Sequence, residues 1–244
     1  MKHWIWIVLP CLLSGCNSCS RSAQKAQEQT PVINRALSER VIMDTPPPYI
    51  PSNEVIPIRE KPLAEIVASA EPCVFVVNTY DRKGKRIGQG TGFFIEDDGV
   101  GVSNYHVFDK GRSWKIRTTD GKEHQVKKIM YQSKKFDYVV FKVDTQREMP
   151  FLPLGNMIPL KGEDIVVLGN PRGLESTVSR GIVSSIRNYK GRDKAIIQVD
   201  AAISPGSSGS PVMNRQGEVV GIATMKVSGC ESCNFAFNID LIDR

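Results

Sequence analysis

From residue 74 onward the apolar residues come in short runs, alternating with polar residues or filling the run without a break, and turn-forming residues separate them. Val74–Thr79, Gly92–Ile95, Val100–Ser103, Ser113–Thr118, Tyr138–Val143, Asp164–Leu168, Val178–Ile186, Ala195–Val199, Pro211–Met213, Val219–Met225 and Phe235–Ile239 read as eleven β-strands. Asp98-Gly99, Asp120-Gly121 and Gln216-Gly217 mark turns between them. One stretch has a different period. Pro62 suits a first helical position, and Leu63, Ile66, Val67 and Ala70 lie on one stripe, so a short helix is expected over 62–70. No long helical pattern intervenes between the strands, which argues against a parallel α/β sheet and leaves an all-β sandwich or a pair of closed barrels.

The first residues follow another logic. Lys2, the apolar run Trp4–Leu13 and the small residues Ser14 and Gly15 have the parts of a secretory signal peptide, 1–15. A run of about ten apolar residues is too short to cross a hydrocarbon core of about 30 Å as a helix. Leu13-Ser14-Gly15-Cys16 resembles the bacterial lipobox, in which the cysteine thiol is acylated before cleavage. Lipidation at Cys16 would attach the mature chain to a membrane, since acyl chains on both the thiol and the new amino terminus give stable anchoring. Asn17 is not the aspartate associated with inner-membrane retention in enteric bacteria, so the expected location is the periplasmic side of the cell envelope, with the outer membrane favoured over the inner. Residues 16–61 then form a lipidated start and a tether. Pro46-Pro47-Pro48-Tyr49-Ile50-Pro51 favours polyproline II geometry, and a coil of this length separates its ends by about 35–40 Å.

Composition sharpens this division. The 244-residue chain is 41% hydrophobic and 24% charged, within the globular range. Nineteen of its 20 glycines lie at or beyond Gly84, and seven of its 15 prolines lie between residues 17 and 62. A stiff polar stretch therefore precedes a turn-rich body. The net charge of +6 is spread over small clusters such as Lys83/Lys85/Arg86 and Lys134/Lys135, interrupted by acids and without interleaved aromatics. That pattern reads as a solvated surface and not as a nucleic-acid interface.

The candidate chemistry comes from elimination. His124 lies in the polar turn Asp120–Gln125, where a solvated imidazole needs no explanation. His106 follows the run Val100–Ser103 between apolar neighbours; alone, such a histidine is more often a packed core residue than a catalyst. Its companion is Ser208 in Ser204-Pro205-Gly206-Ser207-Ser208-Gly209-Ser210-Pro211. Gly206 allows a backbone in which its own N–H and that of Ser208 converge on one point, as an oxyanion hole requires, and Gly209 relieves crowding beside the attacking oxygen. Asp137, at the start of Tyr138–Val143, can orient an imidazole by accepting its other N–H. A solvated carboxylate at a strand start is the plainer alternative for Asp137.

At these residues the sequence resembles the HtrA (Deg) family of trypsin-like serine proteases. Gln198–Gly209 is similar to that family's nucleophile segment, and Gly169-Asn170-Pro171-Arg172-Gly173-Leu174 with Val178–Ser184 to the segment before it. Gly88-Gln89-Gly90-Thr91-Gly92-Phe93 with Asn104-Tyr105-His106-Val107 matches its histidine region, and Phe235-Ala236-Phe237 a late strand. The resemblance implies a protease domain over 62–244, built as two six-stranded antiparallel β-barrels of about 62–150 and 151–244, with the site between them. It further implies that His106 is general base and then acid, Asp137 holds its tautomer, Ser208 is acylated, and the Gly206 and Ser208 amides form the oxyanion hole.

Substrates would be polypeptides, the unfolded or damaged proteins of the envelope, and no cofactor is implied. The family often trimerises through its amino-terminal segment, so a homotrimer is one expected state. Three departures stand out. Ser207 replaces the usual asparagine, Ser210 replaces a usual glycine, and the chain stops where most relatives carry a peptide-binding PDZ domain. The altered loop supports a second reading, a proteolytically inactive lipoprotein that uses the same scaffold to bind a partner or unfolded chains.

By analogy the substrate pocket would be walled by Ala202, Ile203, Val227 and Cys233, none of them an acid, which points to cleavage after small or medium aliphatic residues. Cys230-Glu231-Ser232-Cys233 is a CxxC without a following helix pattern, so a local disulfide in an oxidising compartment is favoured over redox catalysis. One CxxC supplies two of the four ligands of a usual zinc site, and no metal site is expected.

Overall fold

The computed structural model describes residues 60–170, 176–226 and 233–243, all within one compact unit, Val55–Arg244. The predicted signal peptide, Cys16 and most of the predicted tether lie outside the described residues, as do Val227 and Cys230.

A helix, α1 (Leu63–Ala70), is followed by a 3-10 turn (Glu71–Cys73) and twelve strands. The first six are β1 (Val74–Tyr80), β2 (Arg86–Phe94), β3 (Val100–Ser103), β4 (Ser113–Arg117), β5 (Glu123–Ser133) and β6 (Tyr138–Val143), with a one-turn helix α2 (Tyr105–Phe108) between β3 and β4. They close into a barrel in the order β1-β2-β3-β6-β5-β4. The second six are β7 (Asp164–Gly169), β8 (Thr177–Tyr189), β9 (Arg192–Val199), β10 (Pro211–Met213), β11 (Val219–Lys226) and β12 (Asn234–Asn238). They close in the order β10-β11-β12-β9-β8-β7. The expected all-β fold with two six-stranded antiparallel barrels and a short N-terminal helix is what forms.

Alternation along the strands explains how two barrels share one core. In β7, Ile165 and Val167 point into the second barrel, whereas Val166 and Leu168 join a cluster between the barrels. Both faces of that strand are covered, which is why it reads as an unbroken apolar run. The interior of the first barrel is aromatic: Phe75 lies with its ring centroid 4.5 Å from that of Phe94 and 6.1 Å from that of Phe141. Each such fully buried ring contributes about 1.5–3 kcal/mol relative to exposure. The shared cluster gathers Val74, Phe93 and Val102 from the first barrel with Leu168, Met213 and Ile222 from the second. Ile66 and Ala70 of α1 also enter it, so the helix closes one end of the seam. The linker stitches both sides: Leu152 N–H donates to the Phe94 carbonyl, and Gly155 N–H to the Val219 carbonyl.

Three local expectations are revised. Pro62 is the residue capping α1 and not its first helical residue. β5 is a twelfth strand that the hydrophobic pattern did not reveal, because within the wall of the first barrel it fully buries Val126 alone. His124 belongs to this strand, paired with Ile116, and its Nδ1 lies 3.3 Å from the Asp144 carbonyl oxygen.

Candidate active site

The chain enters the site from β3. After Ser103 the backbone leaves the sheet at Asn104 and makes the single turn α2, so His106 stands on a helical turn and not on the strand end. Val107 and Phe108, on the inner side of that turn, are buried in the first barrel and leave the His106 side chain half-exposed.

Asp137 arrives from the neighbouring loop, immediately before β6. Its φ of +49° is left-handed, a conformation that aspartate tolerates better than most side chains and that still costs on the order of 1 kcal/mol. Asn104 holds it there: its Nδ2 donates to the Asp137 carbonyl at 2.8 Å. The carboxylate then faces His106 twice. His106 N–H donates to Oδ1 at 2.9 Å, and His106 Nδ1 lies 2.8 Å from Oδ2. A carboxylate only accepts, so Nδ1 carries a proton, and in the neutral ring Nε2 is the nitrogen with the lone pair. Thr224 on β11 of the second barrel donates its hydroxyl to the same Oδ2. The carboxylate is thereby triply bonded, with its side chain 19% exposed.

The serine loop connects β9 to β10 and is shaped by its backbone. Ser207 N–H donates to the Ser204 carbonyl at 2.9 Å, closing a turn with Gly206 at a φ of +100°. Positive φ at the third residue of such a turn is what glycine supplies. Gly209 N–H donates to the Ala223 carbonyl and Ser210 N–H to the Ser207 carbonyl, at 2.8 and 3.0 Å. Among the described residues nothing accepts from the N–H groups of Gly206 and Ser208. The Ser208 hydroxyl is likewise without a partner among them, and it is not hydrogen-bonded to His106. The loop therefore presents one hydroxyl and two alternate amides with unused hydrogen-bonding capacity. A cleft of about 270 Å³ opens beside His106, lined by Ile87, Gly88, Gln89, Asp109 and Lys110 among others.

The strands of this arrangement coincide with a known pattern: a family model described as "Trypsin-like peptidase domain" matches residues 90–222, a span that carries His106, Asp137 and Ser208. The chain belongs to the trypsin-like peptidase family. Within it, the domain is of the HtrA/DegP-like type. It is 33% identical over 192 residues to "Serine protease HTRA1A" of Danio rerio, covering 74% of this chain and 40% of the relative. It is 38% identical over 149 residues to "Probable periplasmic serine endoprotease DegP-like" of Chlamydia trachomatis, covering 58% of this chain and 29% of the relative. This chain thus spans less than half the length of these curated relatives. Among solved structures, the serine endoprotease from Yersinia pestis superposes with a TM-score of 0.65 at 28% identity, covering 75% of this chain and 64% of that one.

Of the predicted pocket residues of this peptidase domain, Ala202 is exposed and Ile203 is buried in the second-barrel interior. Cys233 is disulfide-bonded, and it is partly buried. Sequence reasoning passed over Asn234, which is buried beside it. Asn234 donates through Nδ2 to the Ala201 carbonyl at 2.8 Å, and its buried Oδ1 has no partner among the described residues. Thr224 was also missed, although its signal was present: a polar residue inside the apolar run Val219–Met225. The two unusual serines are both buried. Ser210 Oγ has no partner among the described residues and fills the space in front of Gly169.

Proposed function

We propose that the protein is a serine endopeptidase of the cell envelope, tethered through a lipidated Cys16 and acting on unfolded or damaged polypeptides. The observation that carries this reading is the His106–Asp137 pair, oriented by two hydrogen bonds, together with a serine whose own amide and that of Gly206 are uncommitted among the described residues.

In this mechanism His106 Nε2 takes the Ser208 hydroxyl proton as Oγ attacks the substrate carbonyl carbon. The developing oxyanion accepts from the Gly206 and Ser208 N–H groups; one such donor is worth about 2.7–4 kcal/mol of transition-state stabilisation. Asp137 holds the Nδ1–H tautomer and stabilises the imidazolium. The proton then passes from Nε2 to the leaving amine, and water repeats the sequence on the acyl-enzyme. With no acid at Ala202 or Ile203, small or medium aliphatic side chains are the expected residues before the cleaved bond. The periplasmic designation of the Chlamydia trachomatis relative supports the location, together with the lipobox-like segment at Leu13–Cys16.

Fluorophosphonate labelling of the full chain tests the reading, with and without unfolded protein present. Covalent attachment that disappears in Ser208→Ala is expected. The second reading, a scaffold that holds polypeptides without cleaving them, takes support from the absence of a His106–Ser208 hydrogen bond, and it is correct if no condition yields labelling. Cys16→Ala should release the protein from the membrane fraction; unchanged fractionation of that variant would refute the anchor. Across a peptide panel, preference for lysine or arginine before the cleaved bond would overturn the aliphatic pocket.

A further inference from the structure

Thr91 sits in the middle of β2, in Gly90-Thr91-Gly92, and is fully buried. Two of its four polar connections reach the serine loop. Its N–H donates to the Ser208 carbonyl at 2.8 Å, and its hydroxyl donates to the Gly206 carbonyl at 2.8 Å. The same hydroxyl oxygen accepts Asn170 N–H at 3.1 Å, and the Thr91 carbonyl accepts the Ser103 hydroxyl at 2.6 Å. Direction follows from donor arithmetic. A hydroxyl has one proton, and Asn170 N–H can only donate, so the Thr91 proton is committed to the Gly206 carbonyl.

The two residues whose carbonyls Thr91 holds are the two whose N–H groups are unused. We propose that Thr91 is a positioning residue for the oxyanion hole, its hydroxyl and its amide fixing the Gly206 and Ser208 carbonyls so that the N–H groups of those residues stay aimed at one point. This rests on the reading of those amides as the oxyanion hole. The need for such a clamp is clear from the loop itself. Gly206 can occupy several backbone conformations at similar energy, and the Ser207 amide bond to Ser204 fixes the turn from within its own barrel. Thr91 fixes it from the other barrel, the one that carries His106. The hydroxyl therefore holds the oxyanion donors in register with the general base, where displacement by about 1 Å can cost about 100-fold in rate.

The experiment uses the full chain, a fluorogenic peptide and a peptidyl trifluoromethyl ketone, whose adduct places an oxyanion in the hole. Thr91→Val keeps the shape and removes the hydroxyl; Thr91→Ser keeps the hydroxyl. For Thr91→Val, kcat should fall about 10- to 100-fold with KM within about threefold, and affinity for the ketone should fall in parallel. Thr91→Ser should restore both to within about threefold of wild type. A purely structural role would lower thermal stability without separating ketone affinity from KM. If Thr91→Val does not fold, Thr91→Ala against Thr91→Ser decides the same question. The inference is overturned if KM alone changes, if ketone affinity is unchanged while kcat falls, or if Thr91→Ser is as slow as the variant lacking the hydroxyl. Wild-type activity equalled by Thr91→Val removes this inference alone. Absence of both wild-type hydrolysis and Ser208-dependent labelling removes the endopeptidase reading beneath it.

Discussion

The two barrels contribute to the site by different physical means. The first supplies His106 and Asp137 as a finished unit, with the carboxylate bonded to the imidazole, to the His106 amide and to Thr224, and with its strained backbone clamped by Asn104. The second supplies Ser208 on a loop held by backbone hydrogen bonds and by the Thr91 hydroxyl reaching across from the first barrel, with the Ser208 hydroxyl and two amides left unpaired among the described residues. Side-chain bonds are fixed before substrate arrives. Unpaired donors have their energetic effect when charge develops on the substrate. The acid–base half is thus set in the resting protein, whereas the nucleophile half is built to be completed.

Breaking the finished half should have the largest effect. His106→Ala removes the proton acceptor, and kcat/KM is expected to fall by on the order of 10⁵-fold or more. Asp137→Asn keeps the shape but offers an amide to Nδ1, so the ring takes the opposite tautomer and the rate should fall about 10⁴-fold. Steady-state kinetics on both variants, with circular dichroism to establish folding, checks this. A loss of less than about tenfold for Asp137→Asn would detach the carboxylate from the chemistry.

The nucleophile half is best broken through its backbone. A Cβ on Gly209 would stand 2.1 Å from the Thr91 carbonyl oxygen and 2.5 Å from Ser103 Oγ, at a φ of +89°. Gly209→Ala should therefore lose about 2–4 kcal/mol of stability, from strain and overpacking together, with activity falling at least about 100-fold. Gly84→Ala is the control. Its φ is +75°, but a Cβ there meets nothing within 4 Å, so it should lose about 1 kcal/mol and leave activity intact. Urea unfolding and peptide hydrolysis measured on both variants separate the close approach from the backbone preference. Equal losses in the two would show that the clash with Thr91 is relieved without cost.

The same contrast governs what could be read from the sequence. The barrels were legible because their strands are buried on one face or both, and burial leaves a pattern of period two or an unbroken apolar run. β5 escaped because its side chains meet solvent on nearly every position. His106, Asp137 and Ser208 were found as residue types in a recognisable order, yet the φ of Asp137 and the helical turn under His106 depend on Asn104 and on packing that links distant segments. Thr91 stands in a motif with nothing local to mark its role, since its partners Asn170, Gly206 and Ser208 lie 79 to 117 positions further along the chain. Such convergence has no local signature.

The smallest expected effect concerns the strap that secures the finished half. Tyr138 follows Asp137 directly, and its hydroxyl donates to Asp243 Oδ2 at 2.6 Å. Asp243 lies just beyond Ile242, which is buried in the cluster between the barrels, so this bond ties the segment after β12 to the root of β6. Tyr138→Phe should cost about 1.5–3 kcal/mol, the range for a hydrogen bond to a charged group, with kcat nearly unchanged because Asp137 keeps its own bonds. Burial, and then the bond to Asp243, pushes the Tyr138 phenol up to about 12. In the unfolded chain it titrates near 10, so between these values the native state holds a proton that the unfolded state has released. Its contribution is therefore complete below about pH 10 and is lost as pH rises through about 12. Urea unfolding of wild type and Tyr138→Phe at pH 8 and pH 11 cancels the titration of all other groups in the difference. The stability gap should narrow at pH 11; a gap that stays constant would show that the Tyr138–Asp243 bond does not secure this end of the fold.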